Sequence, residues 1–172
     1  WSDFDLSVRS SSSGKVDSGA NSQQFEQSTG YQYQWEVPFN VSGLVTALGG
    51  KSTVSQKLDT YFTKLDDGVY GSKYAYLSNE VSMNAPYIYE WLGEPAKTTQ
   101  VLDRIADELY DDTPGGLEGN DDLGALSSYY VWGTIGLYPG IYGTAEMLTS
   151  APRVSESVIT PEGHSERYIT VT

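Results

Sequence analysis

The chain is 172 residues long and carries 23 acidic against 10 basic side chains, a formal charge of −13. That balance excludes the basic stripe of a nucleic-acid binder and the polybasic patch of a membrane-surface protein. With no cysteine and a single histidine, His164, disulfides, thiolate metal sites and cysteine nucleophiles are excluded, a histidine-built triad or metal cluster is disfavoured, and no apolar run approaches the roughly 20 residues of a membrane span.

Residues 1–24 are weakly patterned, and Ser10 to Ser13 followed by Gly14 has the composition of a loop or linker. A helix is expected through Val41, Leu44, Val45 and Leu48, stopped by Gly49-Gly50, since glycine relieves the left-handed turn after a helix. A second is expected from Thr53, which with Gln56 forms a capping-box pattern ahead of Val54, Leu58, Tyr61, Phe62 and Leu65 on one face. Asp66-Asp67-Gly68 ends it, and a tyrosine-rich stretch from Val69 to Leu77 follows. Tyr87, Ile88, Trp91 and Leu92 have helical spacing closed by Gly93 and Pro95. Thr98 opens a helix with Val101, Leu102, Ile105 and Leu109 on one face. Asp111 to Asp122 is a Gly/Asp loop. Leu123 to Leu137 reads as a further helix, ended by Tyr138-Pro139-Gly140. After Pro152, Val154, Val158, Ile159, Tyr168 and Val171 around Pro161-Glu162-Gly163 predict a β-hairpin. The fold class expected is mainly α, with helix pairs joined by long loops as in an α/α toroid or bundle, then two strands. The divisions are a lead-in over 1–24, a helical unit over 25–150 and terminal strands over 151–172.

With 14 Tyr and 4 Trp, aromatics make up 13% of the chain. These side chains join a flat apolar face to a polar tip. Together with abundant carboxylates and few cations, that is the usual lining of a carbohydrate site; an acidic surface over a tyrosine-rich core accounts for the same composition. The chain starts at Trp1 without a Met and stops in a strand pattern at Thr172, so a part of a larger protein is expected.

Three familiar patterns fail on spacing. Ala47 to Thr53 resembles the end of a phosphate-binding loop, but the required first glycine is Val45 and the segment follows a helix. Asp111-Asp112 and Asp121-Asp122 lack the alternation of an EF-hand. Asn40-Val41-Ser42 matches the glycosylation sequon, a short pattern of low specificity. His164, in the terminal turn, is expected at the surface with no role.

Three polar clusters lie on loops next to helices: Phe25 to Trp35, Ser78-Asn79-Glu80, and Gly119 to Gly124. An amide beside a carboxylate supplies the hard oxygen ligands that calcium takes. A carboxylate flanked by glycines at a helix start can be held rigid and ionised, which suits a general base. Each cluster also reads as an ordinary cap, turn or solvated loop.

Taken together the clusters resemble the C-terminal part of the catalytic region of family-92 glycoside hydrolases, calcium-dependent inverting exo-α-mannosidases with an (α/α)6 toroid. The resemblance runs from about Gln24 to Tyr168. The family pattern Glu-Gly-x-x-x-Gln-Tyr-x-Trp followed by Val-Pro is met by Gln27, Ser28, Gln32, Tyr33, Trp35, Val37 and Pro38. Its Gly-Asn-Glu-Pro with a downstream Pro-Tyr is met by Ser78, Asn79, Glu80, Val81, Pro86 and Tyr87. Its long Tyr-x-Asp-x-Pro-x-Gly-Leu-x-Gly-Asn-Asp-Asp-x-Gly is met from Tyr110 to Gly124. The resemblance implies that Asn79 and Glu80 hold Ca2+, which touches O2 and O3 of mannose. It implies Asp122 as general base, assisted by Asn120 or Asp121, with Gln32 and Tyr33 near the sugar. One group protonates the leaving oxygen while a carboxylate activates water on the opposite face.

Two departures narrow the expectation. The family's general-acid Glu falls on Gln27, and an amide has no proton to give. General acid catalysis is worth about 10²–10⁴-fold, so an ordinary sugar would depart slowly. A phosphate leaves as a stable anion, its second pKa being about 6, and needs no proton. Gln also removes a like charge and can donate a hydrogen bond to that anion. The paired His of the family is replaced by Met83 and Asn84, which disfavours an ordinary α-1,2-mannobiose leaving-group site. The expected substrate is therefore a mannosyl-phosphorylated glycan such as mannose-α-1-phospho-6-mannose, cleaved to mannose and a terminal mannose-6-phosphate. Arg9, Lys15 or Lys51 could supply a cation for the phosphate. Alternatives are an α-1,2-mannosidase with Glu26 as acid, an engineered Glu→Gln change at Gln27, a non-catalytic mannan-binding module, or a purely structural α/α scaffold. The expected partners are mannose-containing glycans and the missing N-terminal part of the same enzyme, with no nucleic acid and no membrane. The expected location is secreted, from a bacterium or similar source, with the signal peptide outside this chain.

Overall fold

Two glycines set the first turn of the fold. α2 (Val41–Ala47) buries Val41, Leu44 and Val45, and its N-terminus is capped by Asn40, whose Oδ1 accepts from the Gly43 N–H at 3.0 Å. Gly49 (φ 98°) and Gly50 (φ 90°) then reverse the chain into α3 (Lys51–Tyr61). The expected start at Thr53 is corrected by two residues. The Gly50 carbonyl already accepts from the Val54 N–H at 3.0 Å, so the helical ladder is running before Thr53 could cap it. α3 buries Val54, Leu58 and Tyr61. Fully burying an aliphatic side chain of this size is worth about 1.5–3 kcal/mol.

This computed structural model describes residues 25–67, 73–160, 163 and 169–171. Arg9, Lys15, His164, Tyr168 and the whole 1–24 lead-in lie outside the described residues. The other described helices are α1 (Gly30–Tyr33), α4 (Ile88–Leu92), α5 (Pro95–Leu109) and α6 (Ala125–Ile135). α1 falls inside a segment expected to be loop. α4 ends on left-handed Gly93 (φ 83°), and Pro95 opens α5 where its missing N–H costs nothing. The expected start at Thr98 is thus moved back. Thr98 is inside the helix, fully buried, with its hydroxyl donating to the Pro86 carbonyl at 3.1 Å. The expected helix from Leu123 begins at Ala125 instead, because Leu123 (φ 55°) and Gly124 (φ 72°) are left-handed.

α3 packs on α4, α4 on α5 and α5 on α6. The core between them is strongly aromatic. Trp35 and Tyr61 lie 5.7 Å apart, Tyr61 and Phe62 5.0 Å, and Phe62 and Tyr89 6.2 Å between ring centroids. On the other side Tyr87 stacks on Tyr138 at 4.2 Å and 6°, with Tyr129 edge-on to both. Tyr138 belongs to β1 (Leu137–Tyr138), which pairs antiparallel with β2 (Leu148–Thr149). The helix expected to run through Leu137 ends instead at Ile135, because Gly136 (φ 76°) is left-handed, and Leu137 and Tyr138, the latter expected as part of the helix stop, belong to the ribbon. The expected C-terminal pair is present as β3 (Ser157–Ile159) antiparallel to β4 (Ile169–Val171). The described residues are thus mostly helical with four short strands. No helix among them is long and apolar enough to cross a membrane.

Candidate active site

The chain around Gln27 is held by its neighbours in space. Gln27 has left-handed backbone (φ 54°), which a non-glycine residue adopts at a cost. Its side chain is exposed, while Ser28 and Thr29 behind it are buried. Gln32 is fully buried; its Oε1 accepts from the Thr29 N–H at 2.9 Å and its Nε2 donates to the Tyr74 carbonyl at 3.1 Å. Those two bonds join the Gln27 loop to the segment ahead of Asn79. Tyr33 donates its hydroxyl to the Glu26 carbonyl at 2.8 Å and rests its ring 5.5 Å from Phe25. Burial, then the Glu26 charge, raises its phenol pKa. The Glu26 side chain is exposed.

Asn79 connects the second loop to the first. It is buried, and its Nδ2 donates to the Gln27 carbonyl at 2.9 Å and to Ser28 Oγ at 3.3 Å. Its Oδ1 accepts from the Glu80 N–H at 3.0 Å. The half-buried Glu80 carboxylate makes no hydrogen bond or ion pair among the described residues. Met83 is buried and its carbonyl accepts from the Tyr129 hydroxyl at 3.1 Å.

Asn84 has a partner that sequence reasoning missed. Its Nδ2 donates to both oxygens of Glu36, at 3.1 and 3.4 Å. A lone acid inside the apolar run Trp35-Glu36-Val37-Pro38-Phe39 was the available signal. Burial raises the Glu36 pKa from its ordinary 4.5, and the Asn84 hydrogen bonds only partly offset it. As pH rises past that ordinary value the unfolded chain releases its proton first, so folding stability falls, and the deficit persists above the folded pKa. Glu36→Gln is therefore expected to raise Tm at about pH 7 and to leave it unchanged at about pH 4, read by thermal denaturation across that range. Asn84 Oδ1, Trp35 Nε1 and the Tyr87 hydroxyl are buried without partners among the described residues, and all three residues line a cavity of about 40 Å³. That volume accommodates a few waters.

The third loop abuts the second. Gly119 (φ 74°) lies so close to the Ser78 carbonyl that a Cβ there would overlap the oxygen and sit 2.8 Å from Leu126 Cδ1. Gly119→Ala is expected to cost about 2–3 kcal/mol from strain plus overlap, and to lower activity with it. Urea denaturation and turnover of the same variant check this. Asp111 Oδ1 accepts from the Thr113 N–H and hydroxyl at 2.8 and 2.6 Å, which holds its carboxyl below the usual range. The Tyr110 hydroxyl donates to the Leu126 carbonyl at 2.9 Å, and burial, then the charge of Asp121, pushes its pKa up to about 12.

The two adjacent acids differ in their surroundings. Asp121 (φ 51°) accepts from the Ser127 N–H at 2.8 Å and the Ser127 hydroxyl at 2.9 Å, so it ties down the start of α6. Asp122 is exposed and its carboxylate has no partner among the described residues; Asn120 is likewise exposed. The fold thus brings the Gln27, Asn79 and Gly119 loops into one contiguous patch, through Asn79 and through the Gly119–Ser78 approach.

Among the described residues no group of three or more His, Cys, Asp and Glu side chains is placed to hold a metal. Asn79 Oδ1, which keeps a second lone pair, and the bare Glu80 carboxylate are hard oxygen donors of the kind calcium takes. Calcium takes six to eight, so they fit as part of a shell whose other ligands come from elsewhere.

Comparison with known proteins bears on the family and the fold. The chain is 28% identical to a family GH92 alpha-mannosidase from Bacteroides thetaiotaomicron solved in complex with mannoimidazole, with a TM-score of 0.75 over 85% of this chain and 20% of that one. A family GH92 inverting mannosidase from Bacteroides thetaiotaomicron VPI-5482, 24% identical, shares the fold with a TM-score of 0.75 over 91% of this chain and 23% of that one. An uncharacterized secreted glycosidase of Arthroderma benhamiae is 32% identical over 120 residues, 70% of this chain and 14% of the relative. The chain therefore spans between about a seventh and a quarter of the length of these relatives. The family profile for the glycosyl hydrolase family 92 catalytic domain matches residues 3–172, nearly the whole chain, and the chain belongs to that family.

Proposed function

We propose that the protein of which this chain is part is a secreted, calcium-dependent, inverting exo-α-mannosidase that hydrolyses mannose-α-1-phospho-6-mannose, releasing mannose and exposing mannose-6-phosphate. The observation that carries the substrate is Gln27. It stands where the family pattern has its acid, with its side chain exposed and its backbone tied to Asn79. The described helices would form one part of an (α/α)6 toroid completed by chain outside this stretch. Secretion is supported by the Arthroderma benhamiae relative.

The chemistry follows from the residues. Water attacks the anomeric carbon of mannose from the face opposite the leaving group, and Asp122 takes its proton. The bond from that carbon to the phosphate oxygen breaks, and the electron pair leaves with the phosphate as a monoester anion. That anion is stable near neutral pH, so no acid is required. The Gln27 amide donates a hydrogen bond to the departing phosphate, where a Glu carboxylate would repel it. Asp121, with both oxygens engaged by Ser127, keeps the turn that presents Asp122. Asn120 assists from the same turn and Tyr33 borders the sugar, while the buried Gln32, Met83 and Asn84 brace the loops from beneath. Asn79 and Glu80, with ligands outside this stretch, would hold the calcium, which when bound would supply a positive charge against the mannose hydroxyls.

Turnover of the full-length protein on α-1,2-mannobiose and on mannose-α-1-phospho-6-mannose, each with calcium and with a chelator, tests the reading. Hydrolysis of the phosphodiester alone, lost on chelation, is expected. Good turnover of mannobiose overturns it and gives the acid role to Glu26 or to a residue outside this chain. Binding of mannan without turnover of either substrate identifies a non-catalytic module.

A further inference from the structure

We propose that Ser28 is a positioning residue that restrains rotation of the Asn79 side-chain amide, whose orientation the Gln27 carbonyl and the Glu80 N–H set, and so holds Asn79 Oδ1 toward the cation. The inference rests on the calcium-holding role proposed above for Asn79 and Glu80.

Ser28 is fully buried, and a buried hydroxyl requires a partner. Its Oγ lies 3.3 Å from Asn79 Nδ2, whose other bond runs to the Gln27 carbonyl at 2.9 Å. An Asn amide nitrogen has two hydrogens, enough for both of these partners on the Gln27 loop. The oxygen of the same amide must then face away, where the Glu80 N–H meets it at 3.0 Å and one lone pair stays free. The partners themselves exclude the flipped amide. The Gln27 carbonyl can only accept and the Glu80 N–H can only donate, so a flip would set oxygen against oxygen and nitrogen against N–H. A residue without a hydroxyl at this position would leave the amide nitrogen the Gln27 carbonyl alone. Ser28 adds the second anchor and restricts rotation of the amide. The same contact joins the loop of Gln27, in its left-handed conformation, to the turn that carries Asn79 and Glu80.

The test uses the full-length protein stripped of metal, with calcium affinity measured by isothermal titration calorimetry. Ser28→Ala and Ser28→Gly are each expected to weaken calcium binding about three- to tenfold, the effect of one neutral hydrogen bond. The glycine variant cannot clash and stands in if alanine impairs folding. In an Asn79→Ala background the amide that Ser28 restrains is gone, so removing the Ser28 hydroxyl is expected to have no further effect on the remaining calcium affinity. Unchanged affinity in the single variants, effects that simply add in the double variant, or a wild type that binds no calcium would each overturn the proposal. The substrate assay is a separate readout. A non-additive calcium cycle in a protein that cleaves mannobiose leaves the positioning role standing and removes the phosphodiester reading; phosphodiester cleavage with an additive cycle does the reverse.

Discussion

Gln27→Glu is expected to raise kcat/KM on α-1,2-mannobiose at least about tenfold, with a ceiling near the 10²–10⁴-fold that a positioned general acid supplies. The change is nearly isosteric and leaves the backbone demand at φ 54° as it is, so the fold should be untouched. Only the proton changes. A carboxylic acid facing the glycosidic oxygen can give one, whereas an amide cannot. The gain should fall away as pH rises and the new carboxyl ionises, because only the protonated form donates. The same variant should lose about tenfold on the phosphodiester, since a carboxylate now faces a departing anion. Parallel pH profiles on the two substrates measure both effects. No gain on mannobiose, combined with its loss on Glu26→Gln, would move the acid to Glu26.

Asp122→Asn should cost about 10²–10⁴-fold in kcat on either substrate, because the water then has no base. The adjacent Asp121→Ala serves as the contrast. Asp121 uses both oxygens on Ser127, so its loss removes a helix-capping interaction worth about 1 kcal/mol. It should lower Tm while reducing kcat much less than Asp122→Asn. Kinetics and thermal denaturation on the pair decide the matter, and a kcat loss at Asp121 that equals or exceeds the loss at Asp122 would reverse the assignment.

What the sequence made legible was local. The periodic apolar residues of α2, α3 and α5 and the motif around Gly119 to Gly124 are written within a dozen or so positions each. Helix starts were misplaced where a backbone feature overrode a side-chain signal: left-handed Gly50 ahead of Thr53, Pro95 ahead of Thr98, and left-handed Leu123 and Gly124 ahead of Ala125. The roles of Glu36, Ser28 and Ser127 depend on partners 48, 51 and 6 residues away. No periodicity encodes such pairings. The packing of Gly119 on Ser78 is hidden for the same reason, since a glycine that must approach a distant carbonyl looks in sequence like any loop glycine. The β1–β2 ribbon is two residues long on each side, too short to show alternation.

The bond between Asn79 and the Gln27 carbonyl spans 52 residues of chain. A contact of that separation is formed against the entropy of closing a long loop, and it is rewarded only after α3 and the tyrosine-rich core have brought its ends together. The order of events during folding follows. Helices α3 and α5 can form from neighbouring residues, whereas the patch around Gln27 is completed only when the scaffold beneath it exists. During refolding, recovery of helical signal should therefore precede recovery of turnover.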